Sequence, residues 1–304
     1  MNTHPAPNLT QFRAILLGTF DQYSPHQPDK VWELCDGQYI VPCLIPCSGL
    51  LHRLLSRPLE SQWFRLADWR GPDGSFEGSM PVVTGANPDE FNNDALNLLP
   101  PNACPADGVH AGIMALINQI QATPLRSLVE STLQDREVCS RFWTMPASAQ
   151  HHHAFPGGLA THCLEVAQDL AGQSCLEGHE RDLCIAAGLL HDIGKIWAYT
   201  QDMFLDTPAR AMGHELLGLS RLERNLMALE VDWPDGAYAM RVLLSGCGRM
   251  RHDGTMPSAL VSRLKAADQR SCENERARRE PLRAWRPKRW LSSFIPEDDP
   301  TPME

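Results

Sequence analysis

The chain has 304 residues, of which 43% are hydrophobic, and a formal net charge of −10 at pH 7. This length and apolar content predict a globular protein with one large domain, or with a medium domain beside a smaller one. The acidic balance disfavours non-specific binding of nucleic acid over the whole surface, although it leaves room for a local basic groove.

The N-terminal segment MNTHPAPNLTQFR has no basic region followed by an apolar core, so we predict no signal peptide. The longest apolar runs fall well short of the roughly 20 residues that a membrane helix requires. We therefore predict a cytoplasmic protein with no membrane insertion.

The first hundred residues have the composition of a β-rich module. KVWELCDGQYIVPCLI and SQWFRLADWRGPDGSF mix β-branched, aromatic and turn residues, which predicts short strands that could form a small barrel. The segment LIPCSGLLHRLLS predicts a short helix. The polar segment 85–108, rich in Asn, Asp and Pro, predicts a linker or a long surface loop. We therefore assign 1–100 to a β-rich N-terminal module with its linker.

From about residue 109 the pattern becomes helical. Ile113, Leu116, Ile117 and Ile120 mark one amphipathic face. We predict a helical core over 101–285 and a fraying, acidic, proline-rich tail over 286–304. Within the core, further helices are predicted over 158–172, 180–194, 213–230, 236–245 and 257–271.

His162 lies beside a predicted core-facing stripe. Leu159, Cys163, Val166 and Leu170 form that stripe, and His162 is three residues from Leu159 and four from Val166. The imidazole therefore faces the core or its edge. Taken alone, such a histidine is more often a core histidine bonded to a backbone carbonyl than a metal ligand.

His191 and Asp192 stand at the end of an apolar helix that Gly194 is predicted to terminate. Burial of the Asp192 carboxylate would be costly unless a cation or strong donors neutralised it. A divalent metal would supply that cation.

Asp268 projects from the inner face of a third helix, four residues after Leu264 in its apolar stripe. A capping or salt-bridging role would explain this aspartate as well as a metal would. Two imidazoles and two carboxylates in one domain, however, suit Mn²⁺, Fe²⁺, Zn²⁺ or Mg²⁺ with positions left open for water. Such a metal lowers the pKa of bound water and offsets phosphate charge.

The segments GGLATHCLEVA, GLLHDIGK and LKAADQRS resemble the HD metal-dependent phosphohydrolase superfamily, whose signature is H…HD…D. The resemblance covers about 145–275 and implies a mainly α fold, an HD-domain helical bundle, behind the β-rich module. It also implies that the metal ligands are His162, His191, Asp192 and Asp268. We expect Asp192 to orient or deprotonate the attacking water and Lys195 to stabilise phosphate charge, unless Lys195 is simply a solvated lysine on a turn.

The longer run MPASAQHHHAFPGGLATHCLEVA resembles the HD domain at the front of MobH-class conjugative relaxases. With fewer matches, the chain is also similar to 3′→5′ exoribonucleases that join an OB fold to an HD domain. The first resemblance implies a DNA-processing protein with other conjugation proteins as partners. The second would give the N-terminal module an OB-like fold.

A second metal site is less complete. Two-metal enzymes of the HD superfamily often supply further histidines, one in a Gly-His step ("GH") and one or two in a Ser-His-His step ("SHH"). His214 matches the first step, whereas Gly246 and Cys247 stand at the second, with His252 a few residues later. We therefore predict one metal ion. The candidate contacts for a second metal ion or for a phosphate are His151, His152, His153, His214 and His252.

The three consecutive histidines, His151 to His153, cannot all direct their rings at one point. If the local chain is extended, His151 and His153 would reach the site. A surface histidine run is the alternative.

The stretch RARREPLRAWRPKRW, residues 276–290, is basic and interleaved with tryptophan, which suits a nucleic-acid backbone and bases. A solvated charged face is the common alternative. The candidate contacts are Arg276, Arg278, Arg279, Trp285, Arg286, Lys288 and Arg289.

The sequence as a whole predicts a metal-dependent phosphoester hydrolase of phosphodiesterase or nuclease type, related to conjugative relaxases, that acts on nucleic acid, with DNA favoured over RNA. Two alternatives stay open. One is an HD phosphohydrolase of nucleotides or small phosphoesters. The other is a non-catalytic DNA-binding or assembly module of a conjugation apparatus.

Overall fold

The N-terminal part of the chain forms a small closed barrel. The computed structural model describes residues 10–19, 31–67, 80–89, 94–200, 202–245 and 256–279. The barrel strands run in the order β1-β2-β3-β5-β4, in which the β3–β5 pair is parallel and the other pairs are antiparallel. A closed five-stranded barrel is the architecture expected of an OB-like module. Its elements are β1 (Thr10–Thr19), β2 (Val31–Cys35), β3 (Ile40–Leu44), α1 (Ser48–Leu55), β4 (Gln62–Ala67) and β5 (Val82–Pro88).

The interior of the barrel follows from the alternation of side chains along each strand. Ala14 and Leu16 of β1 and Phe64 and Leu66 of β4 point inward and are almost completely buried. Trp63 and Arg65 alternate with them on β4, point outward and are exposed.

The outer side of β1 and β2 packs against the helical part of the chain. Ile15 and Cys35 are register partners and are fully buried. They belong to the same hydrophobic cluster as the short 3₁₀ helix Ala95–Leu98 and most of the helical core. The barrel is therefore docked on the helical part and shares a core with it.

One arginine reinforces this docking. The guanidinium of Arg136 donates to the carbonyl oxygens of Leu16 at 3.0 Å, Leu54 at 2.8 Å and Arg57 at 2.8 Å. These acceptors lie in β1, in α1 and just after α1, so a single side chain holds three separate segments of the barrel.

Helices make up the rest of the described chain. The bounds are α2 (Val109–Ile117), α3 (Thr123–Gln134), α4 (Arg136–Phe142), α5 (Gly158–Ala171), α6 (Gly178–Leu190), α7 (Lys195–Ala198), α8 (Thr207–Asp232), α9 (Pro234–Leu244) and α10 (Met256–Arg279). Of these, α8 is a long helix with a kink at Gly213.

The close approach of α5 and α6 depends on Gly188. A Cβ atom at this position would lie 2.7 Å from the Cα of Ala167, which is shorter than any normal contact. The two backbones therefore touch without an intervening side chain. This contact brings His162 on α5 within reach of the C-terminal end of α6.

The predicted mainly helical architecture behind a β-rich module is confirmed. The helix predicted over 180–194 ends earlier, at Leu190, and the four residues after it form a turn before α7. The surface loop predicted over 85–108 is wrong. Its first residues belong to β5, and Leu96 and Leu98 in its middle are buried in the helical core, because leucines within an otherwise polar segment are stabilised by burial.

None of the helices in the described ranges combines the length and the apolar character needed to cross a bilayer. The tail predicted over 286–304 lies outside the described residues.

Replacement of Gly188 by alanine should push α5 and α6 apart, because the new Cβ meets backbone atoms that cannot rotate away. Overpacking of this kind costs about 1–3 kcal/mol, which urea unfolding followed by circular dichroism would measure. Gly49→Ala is the matched control, since Gly49 is an exposed position in α1 with open space around its Cβ direction. Equal stability of the two variants would contradict the proposed helix contact.

Candidate metal centre

Four side chains from three parts of the helical domain converge on one point. His162 lies within α5, His191 and Asp192 follow the last residue of α6, and Asp268 lies on α10. Nε2 of His162 is 3.2 Å from Nε2 of His191, 3.1 Å from Oδ1 of Asp268 and 3.4 Å from Oδ2 of Asp192. The structure thus brings together the four residues that the sequence indicated as ligands.

The proton positions on the two imidazoles can be read from their other ring nitrogens. Nδ1 of His191 lies 2.9 Å from the carbonyl oxygen of Gly188. A carbonyl oxygen can only accept, so Nδ1 carries the proton and donates. The Nε2 lone pair of His191 is therefore turned toward His162.

The same reasoning applies to His162 through two intermediate groups. Its Nδ1 is 3.1 Å from Oγ of Ser271, and that hydroxyl is 2.7 Å from Oε2 of Glu165. Hydrogen bonds from His153, Arg278 and Ser271 outweigh burial and lower the pKa of Glu165 to about 2, so this carboxylate only accepts. Ser271 must donate its single proton to Glu165 and accept from Nδ1–H of His162.

Both Nε2 atoms are consequently directed at each other across 3.2 Å, which is unfavourable unless a positive charge lies between them. Although burial opposes it, hydrogen bonds to Asp192 and Asp268 raise the pKa of His162 to about 9. The site therefore attracts a cation, and a proton and a metal ion would compete for the same place.

The donor set fits a divalent metal. Two ligands at adjacent corners of an octahedral ion, each about 2.1 Å from it, lie about 3.0 Å apart. The closest donor pairs here are separated by 3.1 to 3.4 Å. His162, His191 and Asp268 each offer one ligand atom, and these atoms all lie within 4.8 Å of one another. Imidazole nitrogen with carboxylate oxygen is a combination suited to Mn²⁺, Fe²⁺ or Zn²⁺.

Asp192 is the most strongly held of the four. Nζ of Lys195 lies 2.6 Å from its Oδ2, and Nε2 of His214 lies 3.0 Å from its Oδ1. Burial raises the cost of ionisation, yet Lys195 and His191 together hold the pKa of Asp192 well below its ordinary value. Burial also opposes the charge on Lys195, but Asp192 raises the pKa of this lysine above its ordinary value. Lys195 is buried, so the solvated lysine considered for this position is excluded.

A break in α8 places His214. Gly213 has φ 80° and ψ 159°, a conformation outside the helical region that glycine tolerates. The chain bends there, and the next residue, His214, turns its ring to Asp192. Because Nε2 of His214 faces that carboxylate, His214 supports a ligand in this arrangement.

A cavity of about 410 Å³ opens beside these residues. His191, Asp192 and Asp268 line it, together with Lys195 and His214. The apolar part of the wall is formed by Leu243, Leu244, Val261 and Leu264. This volume lies in the range of small-molecule sites.

The histidine triplet takes an arrangement that an extended chain does not give. His151 is exposed, His152 lines the cavity, and His153 is completely buried. The segment is a turn, and His153 has a φ of 48°. The expectation that His151 and His153 would face the site is therefore corrected. His152 lines the cavity, whereas His153 packs against His162 from the buried side, with ring centroids 5.2 Å apart, and directs its Nε2 to Glu165.

The residues considered for a second ion are only partly assembled. His152, His162 and Cys272 offer ligand atoms within 4.8 Å of one another, but this group shares His162 with the first. Burial and the charge of Lys195 lower the pKa of His152 to about 4, so its ring is neutral at pH 7. His252 lies outside the described residues.

Only the first residues of the basic stretch 276–290 belong to the part of the chain that the structure describes. Arg276 is exposed on α10, and Nη1 of Arg278 is 2.7 Å from Oε1 of Glu165. Arg278 therefore forms an ion pair beside the candidate metal centre. Arg279 is the last residue of α10, and the remaining contacts predicted from the sequence, Trp285, Arg286, Lys288 and Arg289, lie outside the described residues.

Sequence reasoning missed Glu165, Ser271 and Cys272. A positional signal existed, because Glu165 is three residues after His162 and Ser271 is three residues after Asp268. Residues at this spacing lie next to each other on a helix surface. Polar residues one turn after two predicted ligands were therefore candidates for supporting them.

The two histidines and two aspartates lie in a segment that matches a known domain family. Residues 159–271 match the family model described as HD domain, and the match contains all four residues. The chain therefore carries an HD domain, and HD domains bind divalent metals.

Curated relatives extend the comparison. The 3'-5' exoribonuclease YhaM of Bacillus velezensis is 25% identical over 127 residues, which is 40% of this chain and 40% of the relative. The protein of the same name from Shouchella clausii is 26% identical over 113 residues, which is 36% of this chain and 35% of the relative. The aligned region thus spans two-fifths or less of each relative. No solved structure gives a significant match.

Replacement of His191 by alanine or of Asp192 by asparagine should abolish metal binding, because each change removes a donor from a site of four. Elemental analysis of the purified variants, and calorimetric titration with Mn²⁺, would measure the effect. His52→Ala, an exposed histidine on α1, serves as the control. Metal content that survives both changes at the centre would refute the ligand assignment.

Proposed function

We propose that this chain is a metal-dependent phosphohydrolase that cleaves phosphodiester bonds in single-stranded nucleic acid. The observation that carries the proposal is the pair of Nε2 atoms turned toward each other beside two carboxylates, at the edge of a cavity that His191, Asp192 and Asp268 line. A divalent ion bound there would lower the pKa of a water molecule and neutralise phosphate charge.

Asp192 is the residue we expect to orient the attacking water. Its two oxygens are fixed by Lys195 and His214, so its position does not depend on the substrate. Lys195 balances the charge of this carboxylate, and we propose that it contributes to phosphate binding only through Asp192. His152 is neutral and lines the cavity, where it can contact a phosphate oxygen or the leaving group.

A nucleic acid is supported as substrate by the relatives, whose names describe 3'-5' exoribonucleases. A relation to conjugative relaxases is supported by the sequence around the histidine triplet alone. A DNA substrate and partners in conjugation depend on that relation. We propose the class of single-stranded nucleic acid and leave the choice between DNA and RNA to the assay below.

The barrel offers a surface for such a strand. Trp63 and Arg65 lie two residues apart on β4 and point outward together, and both are exposed. Arg13 and Asn87 are the register partners of Trp63 on the two neighbouring strands. We call these four residues the β4 face. An indole beside a guanidinium is suited to base stacking and phosphate contact.

Charge also favours this face for a polyanion. Arg65 makes no ion pair within the described part of the chain, and its guanidinium lies against Gly85 of β5. The carboxylate of Asp89 is almost buried and is paired with Arg13. By contrast, the exposed Tyr39 lies in the turn between β2 and β3, where the carboxylate of Asp36 accepts from its backbone amide.

Hydrolysis of nucleotides or other small phosphoesters is the second candidate. The volume of the cavity and its four apolar side chains favour it, because a single nucleotide could be held there with its base against Leu243 and Val261. Activity on mononucleotides with none on oligonucleotides would select this candidate.

The purified chain with Mn²⁺ should cleave a single-stranded oligonucleotide, and Asp268→Asn should lower the rate by more than about 100-fold, since even outer partners of a metal ligand contribute 10–100-fold. Labelled DNA and RNA strands, mononucleotides and bis(p-nitrophenyl) phosphate form the substrate panel. Asp232→Asn, an exposed aspartate at the end of α8, is the control. A metal-loaded protein without activity on any of these would favour the non-catalytic alternative.

Trp63→Ala should weaken binding of a single-stranded oligonucleotide by about fivefold or more, because stacking of one base on an aromatic ring contributes about 1–3 kcal/mol. Fluorescence anisotropy measures the affinity, and hydrolysis of bis(p-nitrophenyl) phosphate should not change. Tyr39→Ala is matched in exposure, at 42% against 39% for Trp63. A similar loss in both variants would argue against the β4 face.

A further inference from the structure

A line of polar groups extends from His162 away from the metal centre. Nδ1 of His162 meets Oγ of Ser271 at 3.1 Å, and this hydroxyl meets Oε2 of Glu165 at 2.7 Å. The same carboxylate oxygen lies 3.2 Å from Nε2 of His153. We call His153, Glu165 and Ser271 the Glu165 relay.

Glu165 is held on both of its oxygens. Arg278 donates to Oε1 at 2.7 Å, while Ser271 and His153 share Oε2. Each of these groups acts as a donor toward a carboxylate, and together they keep it ionised. An ionised Glu165 fixes the direction of every proton in the line, because it can only accept.

His153 reaches Glu165 at the expense of local strain. It is a non-glycine residue in the left-handed region, with a φ of 48°, and its ring is completely buried. Its carbonyl oxygen accepts from the amide of Ala147 at 3.0 Å and lies so close to Gly158 that a Cβ there would approach to 2.0 Å. Strain of this kind persists where the surroundings impose it, and it is often linked to function.

We propose that Glu165 is a positioning residue for the metal centre: acting through Ser271, it keeps the proton of His162 on Nδ1 and leaves Nε2 free to bind the metal. The inference rests on the proposed metal centre and adds to it the residues that set the orientation of one ligand. His153 and Arg278 fix the carboxylate in place.

The relay makes an unusual prediction for Glu165→Gln. The glutamine side chain has nearly the same shape, but its amide NH₂ can donate to Ser271. Ser271 would then turn its proton to Nδ1 of His162, and the ring would carry its own proton on Nε2, facing the metal site. We expect the affinity for Mn²⁺ to fall about 10–100-fold, the range found for outer partners of metal-binding histidines.

The matched control lies one turn further along the same helix. Asp169 on α5 pairs with Arg270 on α10 at 2.6 Å, so it joins the same two helices as the Glu165–Arg278 pair. Asp169→Asn removes the same charge without touching His162. Calorimetric titration with Mn²⁺ should give the wild-type affinity for this variant, and thermal unfolding would verify that both variants are folded.

Ser271→Ala separates positioning from a general structural effect. Without the Ser271 hydroxyl, no hydrogen bond links residue 165 to Nδ1 of His162, so the amide introduced by Glu165→Gln can no longer determine which nitrogen of His162 carries the proton. The double variant Glu165→Gln with Ser271→Ala should therefore bind Mn²⁺ as Ser271→Ala alone does. Additive losses in the double variant, or equal affinities of Glu165→Gln and Asp169→Asn, would overturn the relay. Wild-type protein that binds no Mn²⁺ would overturn the metal centre itself and this inference with it.

Discussion

The buried carboxylate of Asp192 is the constraint on which the rest of the helical domain depends. A carboxylate removed from water needs compensation of several kcal/mol, and a single partner does not supply it. Here Lys195 and His214 each bind one oxygen, and two imidazoles lie within 3.6 Å. The end of α6, the turn that begins α7 and the bend at Gly213 can all be understood as the means by which these groups reach one carboxylate.

Much of the centre could be predicted from sequence because its residues obey helical spacing. His162, His191 and Asp268 each lie next to apolar residues three or four positions away, and those residues are buried in the structure. The barrel strands followed from alternation and turn residues in the same way. These features are local, since a short window of sequence contains both the residue and the surface that it must face.

The features that sequence did not predict depend on contacts between distant segments. The ring orientation of His153 requires a positive φ and a glycine placed five residues later, and alternation along an extended chain gives the opposite answer for the triplet. The segment 85–108 looked like a solvated loop because most of its residues are polar, yet a few leucines in it enter the core. The support of His162 by Ser271 joins α5 to α10, across more than a hundred residues of chain.

The contact made by Arg136 bears on how such a protein can be rearranged. Its guanidinium satisfies carbonyl oxygens from three segments of the barrel at once. Separation of the barrel from the helical part would leave those acceptors, together with the apolar surface around Ile15 and Cys35, in need of new partners. The barrel is thus not an interchangeable module on a tether. A recombination event that exchanged it would have to bring a barrel with the same three acceptors, or replace Arg136 at the same time.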